Sequence, residues 1–263
     1  MSEASRTPIE TAQSVLLLAG LLAAWEFAVV WLDISPILLP APSAVAISLF
    51  NGITSGLLIK HFGVTFFETM AGFLLGSVAG LVCGGLIAQS RPVERLLYPY
   101  VIAFQTVPKV AIAPLIVIWF GYGIASKVVI AATIAFFPVL ANTIVGLRSV
   151  PADQLELMAA FMATRSQTLW KVRVPQALPF ILVGLDVGAV LAVIGAVVGE
   201  FVSAKEGLGF QILQSGFSLD TAGVFAALVL LAVMGIVIHL AMGLLRKKVL
   251  YWVDDVSPIN FSG

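Results

Sequence analysis

Residues 148–179 read RSVPADQLELMAAFMATRSQTLWKVRVPQALP, the only long internal stretch that is both polar and strongly basic. Leu155, Met158, Ala159 and Met162 recur at helical spacing, and Thr164, Arg165, Ser166 and Gln167 interrupt the pattern. Pro151 suits a first helical turn, and Asp153 there complements the helix dipole. A second short helix, from about Gln167 to Val174, is expected to stop at Pro175, because proline disfavours helix in the preceding residue and lacks a donor. The stretch therefore predicts a helix-turn-helix hairpin over 148–175. In so apolar a chain it is where a water-soluble partner would touch.

The rest of the chain fixes what the hairpin is attached to. Of 263 residues, 60% are hydrophobic and 11% charged, and the mean hydropathy is +1.07. A soluble chain carries about 25% charged residues, so the composition dictates an integral membrane protein. The formal charge of zero gives no bulk attraction to nucleic acid. One cysteine, Cys83, allows neither an internal disulfide nor a cysteine cluster, and its apolar setting makes it a packing residue. The opening MSEASRTPIETAQ shows no clear small-residue cleavage site, so a retained first span is expected rather than a cleaved signal peptide.

A membrane helix needs about 20 apolar residues, and on that measure about six spans follow in order. Residues 14–32 form the first, closed by the proline-punctuated SPILLPAPSAV, with a short interfacial helix expected over 44–50. Residues 61–88 form the second; its Gly72, Gly76, Ser77, Gly80, Gly84 and Gly85 allow close helix approach. Residues 94–120 are interrupted by Gln105, Thr106, Pro108, Lys109 and Pro114, which predicts a bent span or two half-helices. Such backbone is tolerated at membrane depth only against protein or a wet cavity. Residues 127–147, with Pro138 and Asn142, form the fourth span, 178–198 the fifth and 224–245 the sixth. An external loop over 200–223 lies between the last two.

Six spans put ten basic residues on the side of the hairpin and termini (Arg6, Arg91, Arg95, Arg148, Arg165, Lys171, Arg173, Arg246, Lys247, Lys248) and three on the other (Lys60, Lys127, Lys205). The positive-inside rule makes the hairpin cytoplasmic.

Three segments carry a resemblance to a known family. Glu156, Val172 and the pair Val174-Pro175 resemble the cytoplasmic EAA loop of the integral membrane subunits of ATP-binding-cassette importers. That loop runs Glu-Ala-Ala, three residues, Gly, nine residues, Ile, one residue, Leu-Pro. QTVPKVAIAPLIVIWFG from Gln105 and GEFVSAKEGLGFQI from Gly199 are similar to the branch associated with nitrate, sulfonate, taurine and bicarbonate uptake. The likeness covers nearly the whole chain. Met162 stands where the family has glycine, so the turn is expected either to keep right-handed helical values or to shift to Ala163-Thr164.

The resemblance implies an all-α, type I importer permease, a single transmembrane domain over 1–263, in a bacterial cytoplasmic membrane with both termini inside. It implies two permease copies, two ATPase subunits clasping the hairpins, and an external substrate-binding protein. Asp153, Glu156 and Arg165 would make the polar contacts with the ATPase; Leu155, Met158 and Met162 would fill its groove or brace the fifth span; Ala163 belongs to the turn. Glu206, Gly207, Gly209 and Phe210 would lie where the binding protein docks, although EGLGF also reads as a plain turn with an interfacial aromatic.

No GxxxxGK[ST] occurs, so ATP and Mg belong to the partner ATPase and no cofactor is expected here. His61 and His239 are too far apart in sequence for a local metal motif and read as helix-end or packing residues. Glu26, Glu68, Lys109 and Asp186 lie in apolar segments, where each costs on the order of 2.5–3.5 kcal/mol and should face the bundle or a wet cavity. Glu68, Gln105, Pro108, Lys109, Pro114, Asn142 and Asp186 are thus candidates for the translocation path. Lys109 either favours an anionic solute or pairs with Glu68 or Asp186; Glu26 and Asp186 either pair between helices or snorkel. The competing function is an ion-coupled carrier or channel using Glu68, Lys109 and Asp186 as a relay. Nitrate, bicarbonate, sulfonates, taurine and a neutral pyrimidine-type vitamin precursor are all open as solutes.

Overall fold

The structure, a computed structural model, describes residues 8–252. Arg6, counted above on the side of the hairpin, lies outside the described residues. The elements are α1 (Pro8–Trp31), α2 (Pro42–Thr54), α3 (Leu57–Ala88), α4 (Arg91–Thr106), α5 (Lys109–Phe120), α6 (Ile124–Arg148), α7 (Ala152–Ala160), α8 (Arg165–Thr168), α9 (Val174–Ser203), α10 (Leu208–Phe217) and α11 (Thr221–Val249). A π-helical turn, Leu169–Arg173, joins α8 to α9.

α6 is the central rod, packed against both α3 and α9, which also touch each other. Its neighbours approach closely because each turns small residues toward it. On α3, a Cβ at Gly80 would lie 2.9 Å from Phe136 O, and one at Gly84 2.8 Å from Thr143 Cβ. On α9, Gly184 faces Asn142, Gly188 faces Val139, Gly195 faces Ala131 and Gly199 faces Lys127. Gly85 has nothing within 4 Å and belongs to the outer face of α3.

These pairs also fix direction. Positions rise together along α3 and α6, from Gly72 against Ala131 to Gly84 against Thr143, so the two rods run parallel. Along α9 they rise as those of α6 fall, so α9 is antiparallel. Parallel α3 and α6 require the chain between them to cross back. α4 and α5, bent 94° from one another, are therefore one broken span and the bundle has six. The break falls at Val107-Pro108 alone; Pro114 sits inside α5 and does not interrupt it.

The remaining spans are peripheral. Only 6% of α1's apolar window is buried, against 56% for α6. α1 is tied on by Glu26, which accepts from Ser43 N–H at 3.0 Å and from its hydroxyl at 2.7 Å. The carboxylate thus serves the free N–H groups at the start of α2, so pairing rather than snorkelling explains Glu26. Trp25 packs on Phe225 of α11.

Two expectations change. The rod does not stop at Pro175: Arg165–Ser203 is one apolar helical run of 39 residues. Val174 N–H bonds to Leu169 O, five residues back, and this widened turn takes up a proline that has no N–H to give. The segment over 200–223 is not a loop, since α9 runs on to Ser203 and α10 fills its centre.

Candidate functional site

The hairpin is built by two local signals. At the end of α7, Met162 N–H bonds to Ala159 O and Ala163 N–H to Met158 O, the paired bonds of a Schellman cap. Its left-handed position is Met162 itself, at φ 51°. Neither right-handed values nor a shift to Ala163-Thr164 is found; methionine itself takes the left-handed backbone. α8 then opens with a capping box: Gln167 N–H donates to Thr164 Oγ1 at 3.2 Å and Thr164 N–H to Gln167 Oε1 at 2.8 Å. The spacing Thr-x-x-Gln was the sequence signal for this start.

Side chains sort by face. Leu155, Met158 and Ala163 are half-buried, while Asp153, Glu156 and Arg165 are exposed. Gln176 Nε2 donates to Gln154 Oε1 at 3.3 Å and pins α7 to α9. The outward apolar residues are Leu157 (56% exposed), Phe161 (75%), Met162 (92%) and Trp170 (66%). Of these the sequence reading named only Met162. Leu157, Phe161 and Trp170 were missed because periodicity marks which residues share a face, not which way that face points.

The broken span presents a second candidate region. Gln105, Thr106, Pro108 and Pro114 are exposed. Lys109 is half-buried, its Nζ 3.4 Å from Gln105 O and 4.8 Å from the Phe137 ring centroid. It pairs with neither Glu68 nor Asp186. Asn142 donates to Pro138 O at 2.9 Å, serving a carbonyl of its own helix. Asp186 Oδ1 lies 2.8 Å from His239 Nδ1, joining α9 to α11, so His239 is an inter-helix partner and not only packing. Glu68 lies on a third network, and the three ionisable groups of the supposed relay do not meet.

That third network stands at the far end of the bundle from the hairpin. Glu68 is fully buried, with Lys127 Nζ 3.4 Å from its Oε1. Beside it Glu200, also buried, accepts from Thr65 Oγ1 at 2.6 Å and from Gly209 N–H. Thr65 in turn accepts from Leu208 N–H at 2.8 Å, and His61 Nδ1 accepts from Gly207 N–H at 2.9 Å. Gly207 and Gly209 are buried against the Glu200 carboxylate, where a Cβ would collide. Leu208 is buried too, and Phe210 is half-buried against His61. Of the EGLGF segment only Glu206 is exposed; its carboxylate accepts from Lys60 Nζ at 2.6 Å. That ammonium holds the Glu206 carboxyl below the usual carboxylate range. Lys127 and Glu200 were missed because both stand at span ends, where a charged residue reads as interfacial.

Among the described residues no group of three or more potential metal ligands occurs. Residues 72–251 match the family model described as the binding-protein-dependent transport system inner membrane component. The chain is 39% identical over 232 residues to the riboflavin transport system permease protein RibX of Chloroflexus aurantiacus, covering 88% of this chain and 87% of that one. It is 36% identical to the formylaminopyrimidine transport permease protein ThiX of Halalkalibacterium halodurans, covering 88% and 92%. Among solved structures, a chain of the inward-facing MetNI methionine ABC transporter superposes with a TM-score of 0.67 at 23% identity, over 74% of this chain and 97% of that one.

Proposed function

Since the chain belongs to the family of inner membrane components of binding-protein-dependent transport systems, the permease subunits of ABC importers, we propose that it works as one of two identical copies enclosing a solute path. Two ATPase subunits, which bind ATP and Mg, clasp the hairpins from the cytoplasm, where both termini also lie. An external binding protein delivers the solute to the opposite end.

The observation that carries this reading is the outward face of the hairpin. Leu157, Phe161, Met162 and Trp170 are all exposed on a segment that also exposes Glu156, Arg165 and Lys171, and we read them as one apolar patch. Such a patch on a polar segment marks a protein contact. Its second arm is the start of the α9 rod, so a push on the patch is delivered to the path without a flexible joint. Closure of the ATPases on ATP would bring the hairpins together and open the path outward; hydrolysis would return it inward.

The path itself is supported by the break at Val107-Pro108, where Gln105 and Thr106 expose polar groups at a depth that demands protein or water. Lys109, at that break, favours a small anionic solute. The named solutes of RibX and ThiX favour a flat heterocycle instead. Lys109→Gln separates them: uptake of an anion would fall at least tenfold, and uptake of a neutral heterocycle would hold.

Purification of the complex tests the hairpin. With Leu157→Glu and Phe161→Glu together, the chain should still insert and pair, but ATPase subunits should no longer co-purify. Full retention of the ATPases would overturn the assignment.

A further inference from the structure

Three consecutive backbone N–H groups at the start of α10 are each taken by a side chain of another element. Gly207 N–H goes to His61 Nδ1 and Leu208 N–H to Thr65 Oγ1, both on α3, and Gly209 N–H goes to Glu200 on α9. These are donors that a helix start leaves free, and here they are buried, so each must find an acceptor. The three acceptors sit on the two rods that flank α6. Where α10 points is thus set by where α3 and α9 stand.

We propose that His61, Thr65 and Glu200 are positioning residues that hold α10 as the external docking platform, and that protonation of His61 releases it. This rests on the reading of the chain as a permease served by an external binding protein. α10 presents Phe217, 87% exposed, with Ser218 and Leu219 beside it, so the end of the helix distant from the clamp is the end a partner would touch.

The proton dependence follows from hydrogen-bond direction. A backbone N–H can only donate, so Nδ1 must carry no proton; a protonated imidazole would set N–H against N–H. Imidazole changes charge between about pH 5 and 8. Lys60 and Glu206 act on His61 directly; the other charged groups on the surrounding elements are Glu68 on α3, Lys127 on α6, Glu200 on α9, Lys205 in the elbow and Asp220 at the start of α11. α2 and α10 carry no titratable side chain. Glu206, held below the ordinary carboxylate range by Lys60, keeps its charge until the pH has fallen past that range. Its ion pair with Lys60 is therefore still in place across the pH range compared below.

Hydrogen exchange on the full complex in lipid nanodiscs reads the clamp directly, using peptides across residues 204–217 and rates corrected for intrinsic pH dependence. Between about pH 7.5 and 5.5, the native elbow should exchange roughly tenfold faster, the effect of losing one buried hydrogen bond. His61→Asn, whose Oδ1 takes the place of Nδ1 and does not titrate, should stay protected at both values. His61→Leu should exchange fast at both. Equal native protection at the two values, or an acid loss that persists in His61→Asn, would overturn the clamp. The ratio of binding-protein-stimulated to basal ATPase should fall with acid in the native complex and hold in His61→Asn; a released elbow with an unchanged ratio would overturn the positioning role. A native complex with no stimulation at either pH would count against the permease reading, which the exchange data do not depend on.

Discussion

Met162 holds a left-handed backbone that a side chain with a Cβ takes at a cost of about 1–2 kcal/mol, and it does so almost fully in solvent. The Schellman bonds on either side of it, Met162 N–H to Ala159 O and Ala163 N–H to Met158 O, over-determine the turn. What methionine adds is apolar surface beside Phe161. Met162→Gly should relax the turn by about 1 kcal/mol and slow exchange at the Ala163 amide, yet weaken ATPase binding; unchanged binding would leave the methionine without a role in the contact. Ala163→Pro removes the donor to Met158 O and should abolish stimulated ATPase while the spans still insert. The place of this turn was legible from the spacing Glu156…Val174-Pro175. Its backbone was not, because residue preference argues against methionine at positive φ and the caps that override it depend on bonds a sequence does not display.

The elements obey spacing more faithfully than charge. The small residues of the second span were readable as a packing stripe, and they do pack on α6, but only contact distinguishes Gly84, whose Cβ would press on Thr143, from its neighbour Gly85 in open space. Gly84→Leu should therefore cost about 1–3 kcal/mol through overpacking and lower the thermal unfolding temperature of the purified chain, and Gly85→Leu should be silent; equal effects would refute the assigned face. The broken span was legible because Gln105, Pro108 and Lys109 cannot sit in a straight apolar rod. The continuation through Pro175 was not, since a π-helical turn leaves no mark that separates it from a helix end. Glu68, Lys109 and Asp186 were found in the sequence, but the partners they meet were not. Glu68 meets Lys127, Asp186 meets His239, and Lys109 rests against Phe137, because partners are chosen by register between rods that only the glycine contacts set.

At the scale of the molecule, the run Arg165–Ser203 spans about 58 Å at 1.5 Å per residue, more than the roughly 30 Å of hydrocarbon. One rod thus begins in the hairpin and carries, in its last turn, Glu200, which holds the start of α10 at the opposite end of the bundle. In the proposed mechanism this continuity carries a force from one surface to the other. The most direct test places a cysteine at Phe161 in a Cys83→Ala background and asks from which side, and by what, it is reached. The account predicts no labelling by a membrane-impermeant maleimide in intact cells, labelling in inverted vesicles, and crosslinking to the ATPase subunit. Labelling of intact cells from outside would contradict it.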